Sequence, residues 1–164
     1  MPPEDEVDRI VAAWGRERPD LDFAPLDVLS RVDRLARHLD RARRQAFDAG
    51  GMEPWEFDVL SALRRAGNPY ELSPKALLQQ TLVTSGTMTN RVDRLAARGL
   101  VARRTDPRDG RGILVSLTAA GRRAVDAAIA DLLRAERDIL AGVSDADQGQ
   151  LAGLLRRLIL GLGD

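Results

Sequence analysis

The sequence predicts a mainly α-helical chain with one small β-wing, on three observations. Apolar residues recur at three and four along most of the chain. Two short β-prone runs, 100–104 and 113–117, flank the turn-forming stretch Asp106-Pro107-Arg108-Asp109-Gly110. A brief helix opened by Ser73-Pro74 is joined tightly to a second, arginine-rich one. Two tightly joined helices followed by a hairpin make a winged helix-turn-helix lobe, here 54–117. The helices before and after it, 25–50 and 118–162, are then a dimerisation region.

Each element has its own local reason. Residues 6–18 form a short appended helix with Val7, Ile10, Val11 and Trp14 on one side, ended at Arg18-Pro19 because the residue before a proline disfavours helical backbone. The helix beginning at Pro25 repeats Leu26, Leu29, Val32, Leu35, Ala36, Leu39, Ala42 and Phe47, and Gly50-Gly51 stops it. Glu53-Pro54 opens the next, with Trp55, Val59, Leu60, Leu63 and Ala66 inward, and Gly67-Asn68-Pro69 closes it; Trp55 reads as core. Leu72 bridges to helix 73–80, which carries Leu77 and Leu78. Thr84 or Ser85 caps the arginine-rich helix, whose buried stripe is Met88, Val92, Leu95 and Ala96, and Gly99 ends it. Thr118 caps helix 119–141, with Val125, Ile129, Leu132, Leu133, Ile139 and Leu140 apolar. The last helix, 145–162, has the dense stripe Leu151, Leu154, Leu155, Leu158, Ile159 and Leu162.

A length of 164 residues and 18.0 kDa suits one domain, 1–164. The zero formal net charge argues against a general nucleic-acid coat, but the charge is not evenly spread. Residues 73–111 hold eight basic side chains against three acidic, and the first thirty residues hold eight acids against three arginines. A positive segment in a neutral chain is the footprint of a focused phosphate-binding face; a merely solvated face has the same charge. The absence of cysteine excludes thiol redox sensing, disulfides and thiolate metal sites. No stretch approaches the roughly 18 apolar residues of a membrane span, and MPPEDEVDRI lacks a signal-peptide core, so a cytoplasmic protein without membrane contact is expected. The single histidine, His38, has no second ligand beside it and reads as a surface or interface residue. With no cysteine and no Gly-rich phosphate loop either, an enzyme is not expected, nor a cofactor or metal.

Function follows from the faces left over. Away from its buried stripe the reading helix presents Ser85, Thr87, Thr89, Asn90, Arg91, Arg94 and Arg98, donors that suit base edges and phosphates. Thr84 at its cap, Ser73 and Lys75 on the preceding helix, and Arg108 and Arg111 on the wing complete the set of DNA contacts. The terminal helices alone would expose apolar strips at a cost of about 25 cal/mol per Å². Pairing two copies covers them, and a two-fold dimer sets its reading helices about 34 Å apart, one turn of double-stranded DNA. The competing reading is a dimeric helical adaptor that binds protein, with salt-insensitive partner binding.

The stretch VTSGTMTNRVDRLAARGLVARRTDPRDGRGILVSLTAAG, and within it SGTMTNRVDRL, GLVARR, DPRDGR and VSLTAAG, resembles the MarR family of bacterial winged helix-turn-helix repressors, over about residues 26–162. The resemblance implies a triangular homodimer on pseudo-palindromic DNA. It implies that Arg108 enters the minor groove with Asp106 orienting it, while Arg111 meets phosphate. The appended helix resembles that of the urate-responsive subgroup, whose effector site corresponds here to Trp14, Asp58, Arg91 and Arg103. Two guanidinium groups can hold a planar anionic purine, an indole can stack on it, and the added anion would repel Asp58. A phenolic or other small aromatic anion suits the same arginines. Asp58 can equally be the ion-pair partner of a nearby arginine such as Arg91, and Trp14 a packing residue.

Overall fold

A computed structural model of the chain describes residues 3–81, 84–107, 110 and 112–163. In order they form α1 (Glu6–Glu17), α2 (Ala24–Asp48), α3 (Pro54–Arg65), β1 (Glu71–Leu72), α4 (Pro74–Thr81), α5 (Ser85–Ala97), β2 (Val101–Thr105), β3 (Ile113–Leu117), α6 (Ala119–Leu140) and α7 (Asp145–Gly161). The chain divides into two compact units, Met1–Ala42 and Arg43–Asp164.

In the first unit α1 opens with a capping box: Asp5 accepts from the Val7 and Asp8 amides, and Asp8 accepts from the Asp5 amide at 2.8 Å. The same acids meet α2. Arg31 bonds Asp5 at 2.9 Å and Asp8 at 2.7 Å, and Arg34 bonds Glu6 at 2.5 Å. The backbone N–H of Asp8, aided by Arg31, holds the Asp5 carboxyl below the usual carboxylate range. Much of the N-terminal acidity is therefore structural. Val7 is buried, whereas Trp14 stacks on Phe23 at 6.0 Å and stays 49% exposed.

In the second unit a three-stranded antiparallel sheet, in the order β1-β3-β2, lies with α3, α4, α5 and α6 around one core. Phe47, Leu60, Leu63, Leu77, Met88, Leu95, Val115 and Val125 are among its fully buried side chains. The third strand was not expected: Leu72, read as a bridge, pairs with Val115 while Glu71 pairs with Ser116. Two residues are too few to show a strand's alternation, so only the neighbouring β3 reveals the strand.

The corner after α5 fixes the angle between the reading helix and the wing. Gly99, at φ +69°, takes the left-handed conformation; its N–H bonds Ala96 O, and Leu100 N bonds Leu95 O. Thr118 then caps α6, accepting from Gly121 N at 3.0 Å and donating to Gly99 O at 2.7 Å. At Gly121 the helix passes so close to this corner that a Cβ there would sit 1.9 Å from Leu100 O.

The outer helices remain apolar on their surfaces. On α6, Val125, Ala128 and Leu132 are buried but Ile129 and Leu133 are exposed. α7 buries no residue, leaving Leu151, Leu154, Leu158 and Ile159 exposed. In the first unit Val28, Leu29, Val32, Leu35 and Leu39 of α2 are exposed likewise.

Candidate nucleic-acid interface

Burial of Met88, Val92 and Leu95 fixes the rotation of α5 about its axis. The opposite faces then carry Ser85, Thr87, Thr89, Asn90, Arg94 and Arg98 into solvent, with Arg91 half-buried. Thr84 is the N-cap: its hydroxyl lies 2.9 Å from that of Thr87 and accepts the Thr87 amide. Thr89 donates to Ser85 O at 3.2 Å. Ser73 accepts the Ala76 amide at 3.2 Å, capping the helix that carries exposed Lys75.

The arginines of α5 have distinct surroundings. Arg94 lies 4.6 Å and Arg91 5.5 Å from the centre of the Trp55 ring. Arg94 also bonds Glu53 at 3.2 Å, and the Trp55 N–H donates to the same carboxylate. Trp55, expected in the core, only packs against it; a half-buried indole must satisfy its N–H, which here turns to the surface and to Glu53. Arg98, expected among the DNA donors, bonds Glu56 at 2.5 Å and Gly51 O at 3.0 Å. Glu56 is 2% exposed, and a carboxylate so buried needs a cation beside it. Arg98 thus fastens the end of α5 to the start of α3.

The four expected effector residues do not share a partner. Trp14 belongs to the first unit. In the second, Asp58 pairs with Arg43 and not with Arg91, because Arg43 is held over the Phe47 and Phe57 rings at 5.6 Å from each. Arg103 pairs with Asp93 at 2.6 Å and reaches Thr89 O at 3.5 Å. It also lines a cavity of about 190 Å³ together with Pro74, Met88, Thr89, Val92, Ile113 and Val115. Residues from α4, α5, β2 and β3 make these walls, so no single stretch of sequence announces them.

At the wing, Arg104 bonds Glu71 through two nitrogens, across β3 from β2 to β1, and holds the Glu71 carboxyl below its usual range. Asp106 N donates to Gly112 O at 2.8 Å, closing the hairpin beyond the last strand pair. Arg108 and Arg111 lie outside the described residues. His38 lies 3.0 Å from Arg41. Among the described residues no three His, Cys, Asp or Glu side chains are grouped as metal ligands, and no helix is long and apolar enough to cross a membrane.

Two helices, a wing and an outward-facing polar reading helix define a winged helix-turn-helix protein. A profile of the MarR family matches residues 50–112. The chain is 35% identical over 153 residues to the HTH-type transcriptional regulator PecS of Dickeya dadantii (strain 3937), covering 93% of this chain and 92% of that one. It belongs to the MarR family of DNA-binding transcriptional regulators. Its structure is similar to that of Sco5413, a MarR family transcriptional regulator from Streptomyces coelicolor, with TM-score 0.70, 26% identity, and 87% and 98% of the two chains covered. A mutant MarR from E. coli complexed with operator DNA has the same fold, with TM-score 0.68 at 22% identity and 94% and 99% coverage. These relatives are regulators of transcription.

Proposed function

We propose that this regulator represses transcription by binding a pseudo-palindromic operator in double-stranded DNA as a homodimer, and that a small anionic aromatic effector lowers its affinity. The observation that carries the reading is the rotation of α5, which buries Met88, Val92 and Leu95 and turns Ser85, Thr87, Thr89, Asn90 and Arg94 outward. Ser73, Lys75 and Thr84 flank that surface, whereas Arg98, expected among the donors, is engaged by Glu56. On the wing, Arg108 is assigned to the minor groove with Asp106 orienting it, and Arg111 to phosphate. The E. coli structure of the same fold is complexed with operator DNA. Residues 1–164 act as one MarR-like domain, with the lobe 54–117 between dimerisation helices 25–50 and 118–162. The exposed leucines of α2 and α7 support that division. A cytoplasmic location fits this role.

Two effector readings share Arg103. A urate-type site would use Trp14, Asp58, Arg91 and Arg103. A phenolic anion would use the cavity beside Thr89 and Arg103, with its carboxylate on the guanidinium and its ring against Met88, Val92, Ile113 and Val115. The cavity favours the second, since it touches both α5 and the wing and a ligand there bears on each DNA-reading element at once.

Fluorescence anisotropy of a labelled duplex from upstream of the chain's own gene tests the reading, with urate or a hydroxybenzoate added in turn. Release by urate supports the four-residue site, and release by hydroxybenzoate supports the cavity. Binding indifferent to both removes the effector and leaves the repressor. No DNA binding, with salt-insensitive capture of a protein partner, would favour the adaptor.

A further inference from the structure

We infer that Trp55 is a positioning residue for the DNA-reading Arg94, with Arg91 held beside it, and that Glu53 is the anion Arg94 must leave to reach DNA. The inference rests on the DNA-binding reading above. Arg91 and Arg94 stand three residues apart, just under one turn, on α5, and both guanidinium groups lie over one indole of α3, at 5.5 Å and 4.6 Å. An exposed arginine ordinarily samples many rotamers, and fixing it on binding weakens the complex. Cation–π attraction to an indole holds the charge without using hydrogen-bond donors, so the N–H groups stay available for a base edge or a phosphate. An ion pair with a carboxylate does the opposite and occupies donors.

Both kinds of contact meet here. Trp55 packs against the core on one side, which makes it a fixed shelf. Glu53 accepts the indole N–H and one Arg94 nitrogen, the latter at 3.2 Å between side chains that are each more than half exposed. A phosphate arriving at Arg94 therefore competes with Glu53 for the same donor and is repelled by its charge. The shelf should raise DNA affinity and the carboxylate should lower it, although the two residues touch. A merely structural role would give both substitutions the same sign.

The test compares the full-length wild type with Trp55→Phe, Trp55→Leu and Glu53→Gln. The probe is a labelled duplex recovered by selection from a random pool on the wild-type protein. Anisotropy at fixed salt gives the affinities, and thermal melting gives the stabilities. We expect Trp55→Leu to bind roughly tenfold more weakly and Trp55→Phe about threefold, with the two variants melting alike, because phenylalanine keeps an aromatic face and leucine does not. Glu53→Gln, which keeps length and shape, should bind about threefold more tightly. Equal affinities for the Phe and Leu variants, or weaker binding by Glu53→Gln, would overturn the inference. Failure of the wild type to retain any duplex would instead remove the DNA-binding reading, and this inference with it.

Discussion

At position 56 a carboxylate that is 2% exposed accepts the Glu53 amide at 2.9 Å and the Arg98 guanidinium at 2.5 Å. Removing the guanidinium leaves that carboxylate buried without its cation, a loss larger than that of a surface ion pair. Arg98→Ala should therefore cost about 2 kcal/mol, measured as a lower denaturant midpoint at unchanged slope. An unchanged midpoint would return Arg98 to the surface donors of α5. The sequence placed Arg98 correctly off the buried stripe, since helical period alone decides that. It did not show the partner, which lies 42 residues away. The pairing of Asp58 with Arg43 was hidden for the same reason: many arginines are available and only the packing of Phe47 on Phe57 selects one. Trp55 was legible as apolar but not as a shelf, because its polar edge and its two guanidinium neighbours come together only in the fold.

The elements were more legible than their partners. Thr84, Ser73 and Thr118 cap where their hydroxyls and the following helices required, and the wing strands lie within a residue of the β-prone runs. Helix ends moved by one or two residues, as for α1, which stops at Glu17, and α2, which stops at Asp48. The strand β1 was not legible. Nor was the tight crossing at Gly121, whose lack of a side chain looks neutral within a helix until Leu100 O is known to lie against it. Gly121→Ala should cost about 3 kcal/mol despite alanine's better helix propensity, because backbone and not a flexible side chain blocks the methyl group. A thermal melt at or above that of the wild type would show that α6 can shift away from the corner. Such a shift would also disturb the angle between α5 and the wing, since Thr118 ties the start of α6 to Gly99.

For the whole molecule the governing fact is apolar surface without cover. α7 buries none of its residues, and Leu154 and Leu158 are 50% and 48% exposed. Such helices in a chain with 30% charged residues are a poor solution for a lone copy and a good one for a pair. Leu158→Asp should yield a monomer in sedimentation while the second unit keeps its own core. DNA affinity should then fall by about a hundredfold or more, because one copy reads only one half-site. The most direct test is sedimentation velocity of the wild-type chain with a labelled duplex of about 30 base pairs, carried through a salt series. The expected result is two chains per duplex, with log affinity falling by about 0.9 per phosphate neutralised as log salt rises. One chain per duplex, or binding indifferent to salt, would contradict a dimer that reads DNA through α5 and the wing.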